Sequence, residues 1–470
     1  MAHRGGIPHC PPRHPPRRNR PSRHRSLAPP ATPPAPTPGA GRHLDHHRPH
    51  LTLTRRRLLG IAGGSTLGVA AAGAGGWLWW NNRKHTDTPG PSHFARPANI
   101  PARATWWTRL PNADDSRPPL VLGDLVAVRA RAGLVALDAR TGEKRWTASA
   151  VKTPYEFTSD GTRIYTYAPG GQKAMGLKIF TVTGTGALEI VAGPFDDLSS
   201  AALAAQPVAA ADGVVYLAAR KGNDPDNDHS WLFLAVDTRT GKERWRQAFR
   251  SSYLPGSTSG AAATVAGRHF VYARAGSMGD PNVLKSRDTA DGRDEWSWDV
   301  PRRRLDEGFV GTGQVAADDR RVYVASTVVL AVTLSDGKRA WEFGAGRDTG
   351  SASQDSSPYG RPTVKDGVLY VAESTRGIVA LAADTGTLLW ETPFPDTPPT
   401  SLPPVAGRKY LYVAATDGAR DRIRAVDLRS HRIAWSMDVP GRIGAPPVAH
   451  ERSGRLVWTA GDYVCALPLE

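Results

Sequence analysis

One phrase recurs through most of this 470-residue chain, and it constrains the fold more than any composition value. Ala136-Leu-Asp-Ala-Arg-Thr-Gly142-Glu-Lys-Arg-Trp146 returns as Ala235-Val-Asp-Thr-Arg-Thr-Gly241-Lys-Glu-Arg-Trp245. Further copies span 286–296, 331–341, 380–390 and 425–435, mostly 45 to 51 residues apart. In all six the Trp stands ten residues after the first position: Trp146, Trp245, Trp296, Trp341, Trp390 and Trp435. Gly142, Gly241, Gly292, Gly337 and Gly386 hold the seventh position, and His431 replaces the glycine in the last copy. A period of this length is the signature of a repeat architecture in which each copy is one supersecondary unit.

Each copy reads as a strand, a tight turn and a return strand ending on Trp. Glycine supplies the positive φ that such a turn requires, and the Asp, Ser or Thr before it bonds back to the turn backbone. Upstream of the copies lie alternating apolar strands that meet on a glycine, as in 207–217 around Gly213 and 362–371 around Gly367. Together these make four-stranded antiparallel units with two apolar faces. Such a unit must stack on its neighbours, and a closed ring of stacked blades leaves no long free edge. The predicted fold is an all-β propeller, with the repeated Trp as the packing plug between blades.

The blade count rests on two diverged copies. The stretch 180–190 keeps Gly186 and puts Ile190 where Trp is expected, which makes 155–195 a blade without its aromatic. At the C-terminus, 455–459 and 462–467 supply inner strands, but the chain stops at Glu470 before an outer strand can form. The missing strand is found at 104–110, with Trp107 as its plug. An N-terminal strand closing the last blade gives eight blades; seven is the count if the Ile190 copy is not a blade.

The Ala-Leu-Asp-x-x-Thr-Gly-x-x-x-Trp pattern resembles the pyrroloquinoline-quinone-like repeat family of propellers, over residues 102–470. That resemblance implies fold rather than activity, because the family holds quinone-dependent alcohol dehydrogenases beside non-catalytic relatives. The latter include an outer-membrane assembly lipoprotein and sensor domains of bacterial kinases. The dehydrogenases would require adjacent cysteines, calcium ligands and a catalytic Asp. Here the only cysteines are Cys10 and Cys465, so the vicinal pair cannot form. No catalytic residue is assigned and no cofactor is predicted; pyrroloquinoline quinone enters by resemblance only.

Other patterns point weakly to chemistry. Asp224, Asp226 and Asp228 alternate as a hard cation would want, but His229 and Ala235 stand where an EF-hand loop needs Gly and Glu, so a solvated loop is expected. Asp138, Asp237, Asp288 and Asp427 share one motif position and read as turn partners rather than a catalytic set. Arg302, Arg303 and Arg304 form a charged run between blades.

The chain carries a formal charge of +16, which would ordinarily suggest an anionic partner, but about +11 of it lies in residues 1–57, where twelve Arg face one acid, Asp45. The propeller is close to balanced, and no nucleic-acid partner is predicted. Residues 1–53 form a basic Pro- and His-rich tail with too little apolar content to fold. Compositional bias, or a start codon placed too far upstream, accounts for the eight histidines of 1–50 better than metal binding does. Thr54-Arg55-Arg56-Arg57-Leu58-Leu59 followed by an uncharged segment to Trp80 resembles a twin-arginine export signal.

Residues 58–80 are long enough as a helix to cross about 30 Å of hydrocarbon, and they end on Trp77, Trp79 and Trp80 before Arg83 and Lys84. Two readings stand: a retained single-pass anchor, or a signal cleaved near Ala72 or Ala74. In both, a linker at 81–101 leads to a propeller outside the cytoplasm, as the basic flank at Arg55 to Arg57 implies. The expected function is a membrane-tethered binding scaffold taking a protein, peptide or small ligand on one propeller face. A quinone-dependent oxidoreductase and an orphan sensor module are the alternatives.

Overall fold

The computed structural model describes residues 102–470, except 150–156, 169–174, 182–187, 199–204, 223–230, 250–261, 275–281, 301–314, 348–357, 375, 396–401, 417–420 and 440. The chain divides into two units, 1–86 and 87–470, and every described residue belongs to the second. The tail, the Arg55–Arg56 signal and the 58–80 segment lie outside the described residues. Among the described residues no helix is long and apolar enough to cross a membrane.

Eight four-stranded antiparallel sheets make up the second unit. Seven are consecutive in sequence, spanning 120–148, 157–195, 205–249, 262–300, 315–343, 363–393 and 405–438, numbered here as blades 1 to 7. Blade 8 is composite. Val448–His450, Arg455–Ala460 and Tyr463–Pro468 supply its inner strands, and Trp106–Arg109 is its outermost, with Trp106 opposite Ala466 and Arg109 opposite Tyr463. The inner strand of each blade packs on the inner strands of both neighbours, and the series closes from blade 8 back to blade 1. The ring is an eight-bladed propeller, including the Ile190 blade and the N-terminal closing strand.

Alternation builds the core. The two middle strands of each blade are buried on both faces, as in Val214–Arg220 and Trp231–Asp237, so their side chains feed two seams at once. Tyr165, Leu177, Val215, Leu217 and Leu234 fill the seam between blades 2 and 3, while Tyr216, Ala218, Phe233 and Phe270 fill the next. An apolar strand of this kind cannot face water on either side, which forces the stacking.

A β-bulge sits at one place in six blades, between the first and second motif positions: Ala136/Leu137, Ala235/Val236, Ser286/Arg287, Ala331/Val332, Ala380/Leu381 and Ala425/Val426. The extra residue immediately precedes the Trp, so the Trp pairs with the first motif residue while the strand gains twist. Leu389 is such an extra residue, which explains why it is half exposed.

Candidate binding face and inter-blade seams

The two ends of the ring differ in kind. On one end the described turns are short, such as Asp212-Gly213 and, in six blades, the motif turn exemplified by Asp237 to Gly241. In each motif turn the seventh residue donates its N–H to the carbonyl of the third: Gly142 to Asp138, Gly241 to Asp237, Gly292 to Asp288, Gly337 to Thr333, Gly386 to Ala382 and His431 to Asp427, at 2.8–2.9 Å. The carboxylate of Asp237 accepts the N–H groups of Arg239 and Thr240 and the Thr240 hydroxyl, and Arg244 reaches it at 2.6 Å. Asp138, Asp288 and Asp427 accept from their turn backbones in the same way. These aspartates are turn partners, as the motif position predicts. The Arg244 guanidinium, with the Thr240 backbone and hydroxyl, holds the Asp237 carboxyl well below the usual carboxylate range.

The opposite end carries connections of very unequal length. Blade 1 turns over Arg131-Ala132, whereas 221–230 joins the middle strands of blade 3, and 301–314 and 344–362 join blades 4 to 5 and 5 to 6. The bases of the 344–362 connection are tied down by charge. Glu373, fully buried, accepts from Arg347 Nε at 3.1 Å and faces Arg376 at 3.7 Å, and Arg347 also reaches Glu391 at 2.5 Å. Tyr359 N–H donates to Ser326 and Gly360 N–H to Ala372, pinning the far end of the same connection. Burial and the nearby Glu373 carboxylate push the Tyr359 phenol up. Removing one partner of a buried ion pair typically costs about 3–5 kcal/mol, so this anchor is costly to break.

The seams place the predicted Trp residues. Trp245, Trp296 and Trp341 each donate Nε1–H to the carbonyl of the fourth motif residue in the next blade: Thr289 at 2.9 Å, Leu334 at 2.6 Å and Ala383 at 3.0 Å. Each indole lies on the next blade's turn glycine. A Cβ on Gly292, Gly337 or Gly386 would meet ring carbons at 2.6, 2.7 and 2.5 Å, so the glycine is required for the close approach as well as for its φ of about 70°. Trp390 instead stacks on His431, ring centroids 4.7 Å apart and 12° from parallel, and Trp146 stacks on Phe180 at 6.3 Å.

Two assignments change. In the closing strand Trp106, not Trp107, is the plug: it is 2% exposed, bonds Ala139 at 3.1 Å and lies against Gly142. Adjacent strand residues point to opposite faces, so Trp107 turns toward the other side of blade 8, against the cluster of Trp458 and Cys465. In blade 2 the strand pairing sets Ile179 opposite Glu189 and Lys178 opposite Ile190, one residue away from the register that placed Ile190 at the Trp position. The turn between those strands, 182–187, lies outside the described residues.

Asp224, Asp226 and Asp228, and Arg302 to Arg304, also lie outside the described residues. Among the described residues no group of three or more His, Cys, Asp or Glu side chains is arranged to hold a metal ion. Cys465 is fully buried, and burial pushes its thiol up to about 12, which keeps it protonated and inert at neutral pH.

The family described as outer membrane protein assembly factor BamB matches residues 101–267, 228–359 and 279–467, which together cover the propeller. The chain belongs to this family of pyrroloquinoline-quinone-like repeat propellers. Among curated proteins, outer membrane protein assembly factor BamB of Yersinia pestis is 27% identical over 173 residues, 35% of this chain and 42% of that protein. Serine/threonine-protein kinase AfsK of Streptomyces griseus is 31% identical over 127 residues, 25% of this chain and 15% of the kinase. The matches thus span less than half of either relative. Among solved structures, the computationally designed Ika8 protein superposes with a TM-score of 0.51 at 13% identity, over 76% of this chain and 98% of that one. That likeness concerns the fold alone.

Proposed function

We propose that the propeller is an extracytoplasmic, non-catalytic scaffold, tethered through residues 58–80, that binds a protein partner on the face bearing the long connections. The observation that carries this reading is the asymmetry of the ring. One end carries six near-identical motif turns closed on their own backbone, and the other presents unequal connections, one of them clamped at its base by buried Glu373. Loops held by a rigid frame are where binding surfaces concentrate. The family match supports a scaffold role, since one relative is named as an assembly factor. Pyrroloquinoline quinone has no assigned place, and the seam tryptophans that define the repeat are occupied in packing blades.

A photo-crosslinking residue placed at 226 or 303 in the full chain, expressed in its own cells, is expected to capture a discrete partner. The same probe at Arg239 or Asp336 on the turn end is expected to capture none. Equal capture from both ends would overturn the reading. Spectral or thermal change on titration with pyrroloquinoline quinone and calcium would replace it with the oxidoreductase. Replacing Arg55 and Arg56 by Lys should abolish export if the segment is a twin-arginine signal.

A further inference from the structure

Blade 8 departs from the others at its first turn, and that departure gathers contacts to blades 1 and 6. Where blade 3 has Asp212-Gly213, blade 8 runs His450 into a 3₁₀ turn, Glu451–Ser453, closed by Gly454 in the left-handed region. Glu451 accepts from Lys365 of blade 6 at 2.9 Å, and Lys365 also donates to the Ala406 carbonyl of blade 7 at 3.0 Å. Arg452 pairs with Asp124 of blade 1 at 2.9 Å. His450 lies beneath them, 1% exposed, with Nε2 2.9 Å from the Gly123 carbonyl of blade 1 and Nδ1 3.1 Å from the Ser453 N–H.

These two bonds fix the imidazole's state. A carbonyl can only accept, so Nε2 carries the proton; a backbone N–H can only donate, so Nδ1 must be bare. The neutral ring satisfies both partners at the seam where the ring closes. A second proton on Nδ1 would face the Ser453 N–H donor to donor and place a charge in a buried site. We propose that His450 is an acid-sensitive latch on the closing seam, which holds the inner edges of blades 8 and 1 together when neutral and releases them when protonated.

Every charged group near the ring bears on this. Asp124 from blade 1 favours the imidazolium, Arg452 from its own turn disfavours it, and their mutual ion pair offsets much of both. Glu451 is engaged by Lys365, and Arg455 bonds the Gly454 carbonyl at 3.1 Å, with Arg140 of blade 1 nearby. Burial dominates and moves the imidazole below its ordinary value, ahead of the opposing Gly123 bond. The sign follows from linkage. The unfolded or opened state takes up a proton as pH falls below about 6.5, while the closed state resists, so closure weakens from there until the folded value is passed.

Hydrogen exchange of the full chain, corrected for intrinsic pH dependence, tests the latch. Between pH 7.5 and pH 5, protection of segments 121–126 and 450–456 is expected to fall at least about tenfold relative to the seam at 330–341. His450→Gln, whose amide can donate to Gly123 and accept from Ser453 without titrating, should keep protection level across that range. A fall of equal size in the variant, or in the 330–341 seam, would overturn the proposal. If the variant does not fold, the His450 imidazole resonance of the unaltered protein decides: titration at or above about 6.5 is incompatible with a latch held neutral by the seam.

Discussion

The seam between blades 4 and 5 and the seam between blades 7 and 8 meet one requirement with different means. In the first, Trp296 lies on Gly337 and bonds the Leu334 carbonyl, so the incoming blade supplies both the flat contact and the acceptor from its own motif turn. In the second there is no such turn, because the outer strand of blade 8 is Trp106–Arg109, which pairs with Tyr463–Pro468 without being joined to it by a turn. Trp435 is instead covered by the Arg103 guanidinium, 4.8 Å from the ring centroid, on the approach to the closing strand, and its buried Nε1 has no hydrogen-bond partner. The difference teaches that the repeat motif is bivalent. Its Trp serves the seam ahead and its glycine turn serves the seam behind, so a blade lacking either half weakens one seam and leaves the other intact.

Blade 2 is the converse case. It supplies no Trp to blade 3, where Glu189 takes the strand position, and contacts near the connection end bridge instead: Arg246 pairs with Asp197, and Leu198 bridges to Lys221.

The largest expected effects break the regular seams. Trp296→Ala should lower stability by about 3–5 kcal/mol, as truncation of a buried aromatic does, and Trp106→Ala should cost a similar amount. Trp435→Ala and Trp107→Ala, both on partly exposed rings, should cost less than half as much. Denaturant midpoints of the four full-length variants check this, and a Trp107 variant weaker than the Trp106 variant would reverse the assignment of the closing strand. Gly337→Ala comes next. Its left-handed backbone costs a non-glycine residue roughly 1–2 kcal/mol, and the new methyl meets Trp296, adding about 1–3 kcal/mol of overpacking.

His431→Gly sharpens the comparison at the same motif position. His431 already sits at φ 57° and recovers that cost by stacking on Trp390, an interaction of about 0.5–1.5 kcal/mol. Removing the ring relieves the backbone and loses the stack, so the midpoint should move little, whereas His431→Ala should lose the stack and keep the strain. Thermal unfolding of the pair distinguishes them.

Much of this was legible in the sequence, for a physical reason. Blades stack through one geometry, so the Trp is demanded again in all six regular copies and the turn glycine in five of them, while Asp holds the third position in four. The closing strand was legible as well, because a ring with three strands at its end needs a fourth. The choice between Trp106 and Trp107 was not, since neighbouring strand residues look alike until the partner Ala466 fixes which face is which. One cue was present: Thr108 follows Trp106 by two residues and donates to the Gly142 carbonyl, as Thr392 does after Trp390 to His431. Blade 2 falls one residue out of the motif alignment: it pairs Phe180 with Leu188, Ile179 with Glu189 and Lys178 with Ile190 in unbroken register, without the bulge of the regular blades, and a copy without Trp does not signal that. The Glu373 anchor and the His450 clamp have no sequence signal, because each is built from residues outside the repeated motif.

The smallest expected effect concerns the motif turns of the six regular blades. Asp237 has its carboxyl held low by Arg244 and by the Thr240 backbone and hydroxyl, so the folded state binds its proton less readily than the unfolded chain does. A depressed carboxyl contributes stability that is fully present above the unfolded value, about 3.9, and is lost as pH falls through the lower folded value. Asp237→Asn should therefore reduce the midpoint slightly and evenly from pH 7 down to about 4, and converge on the unaltered protein in stronger acid. A gap that stayed constant below pH 3 would mean that the carboxylate's charge is irrelevant and that the turn depends on side-chain shape alone. Asp427 offers the control, since its carboxyl accepts from Arg429 and Ser430 without an ion pair of the Arg244 kind, and its asparagine variant should show a weaker pH dependence at the same turn.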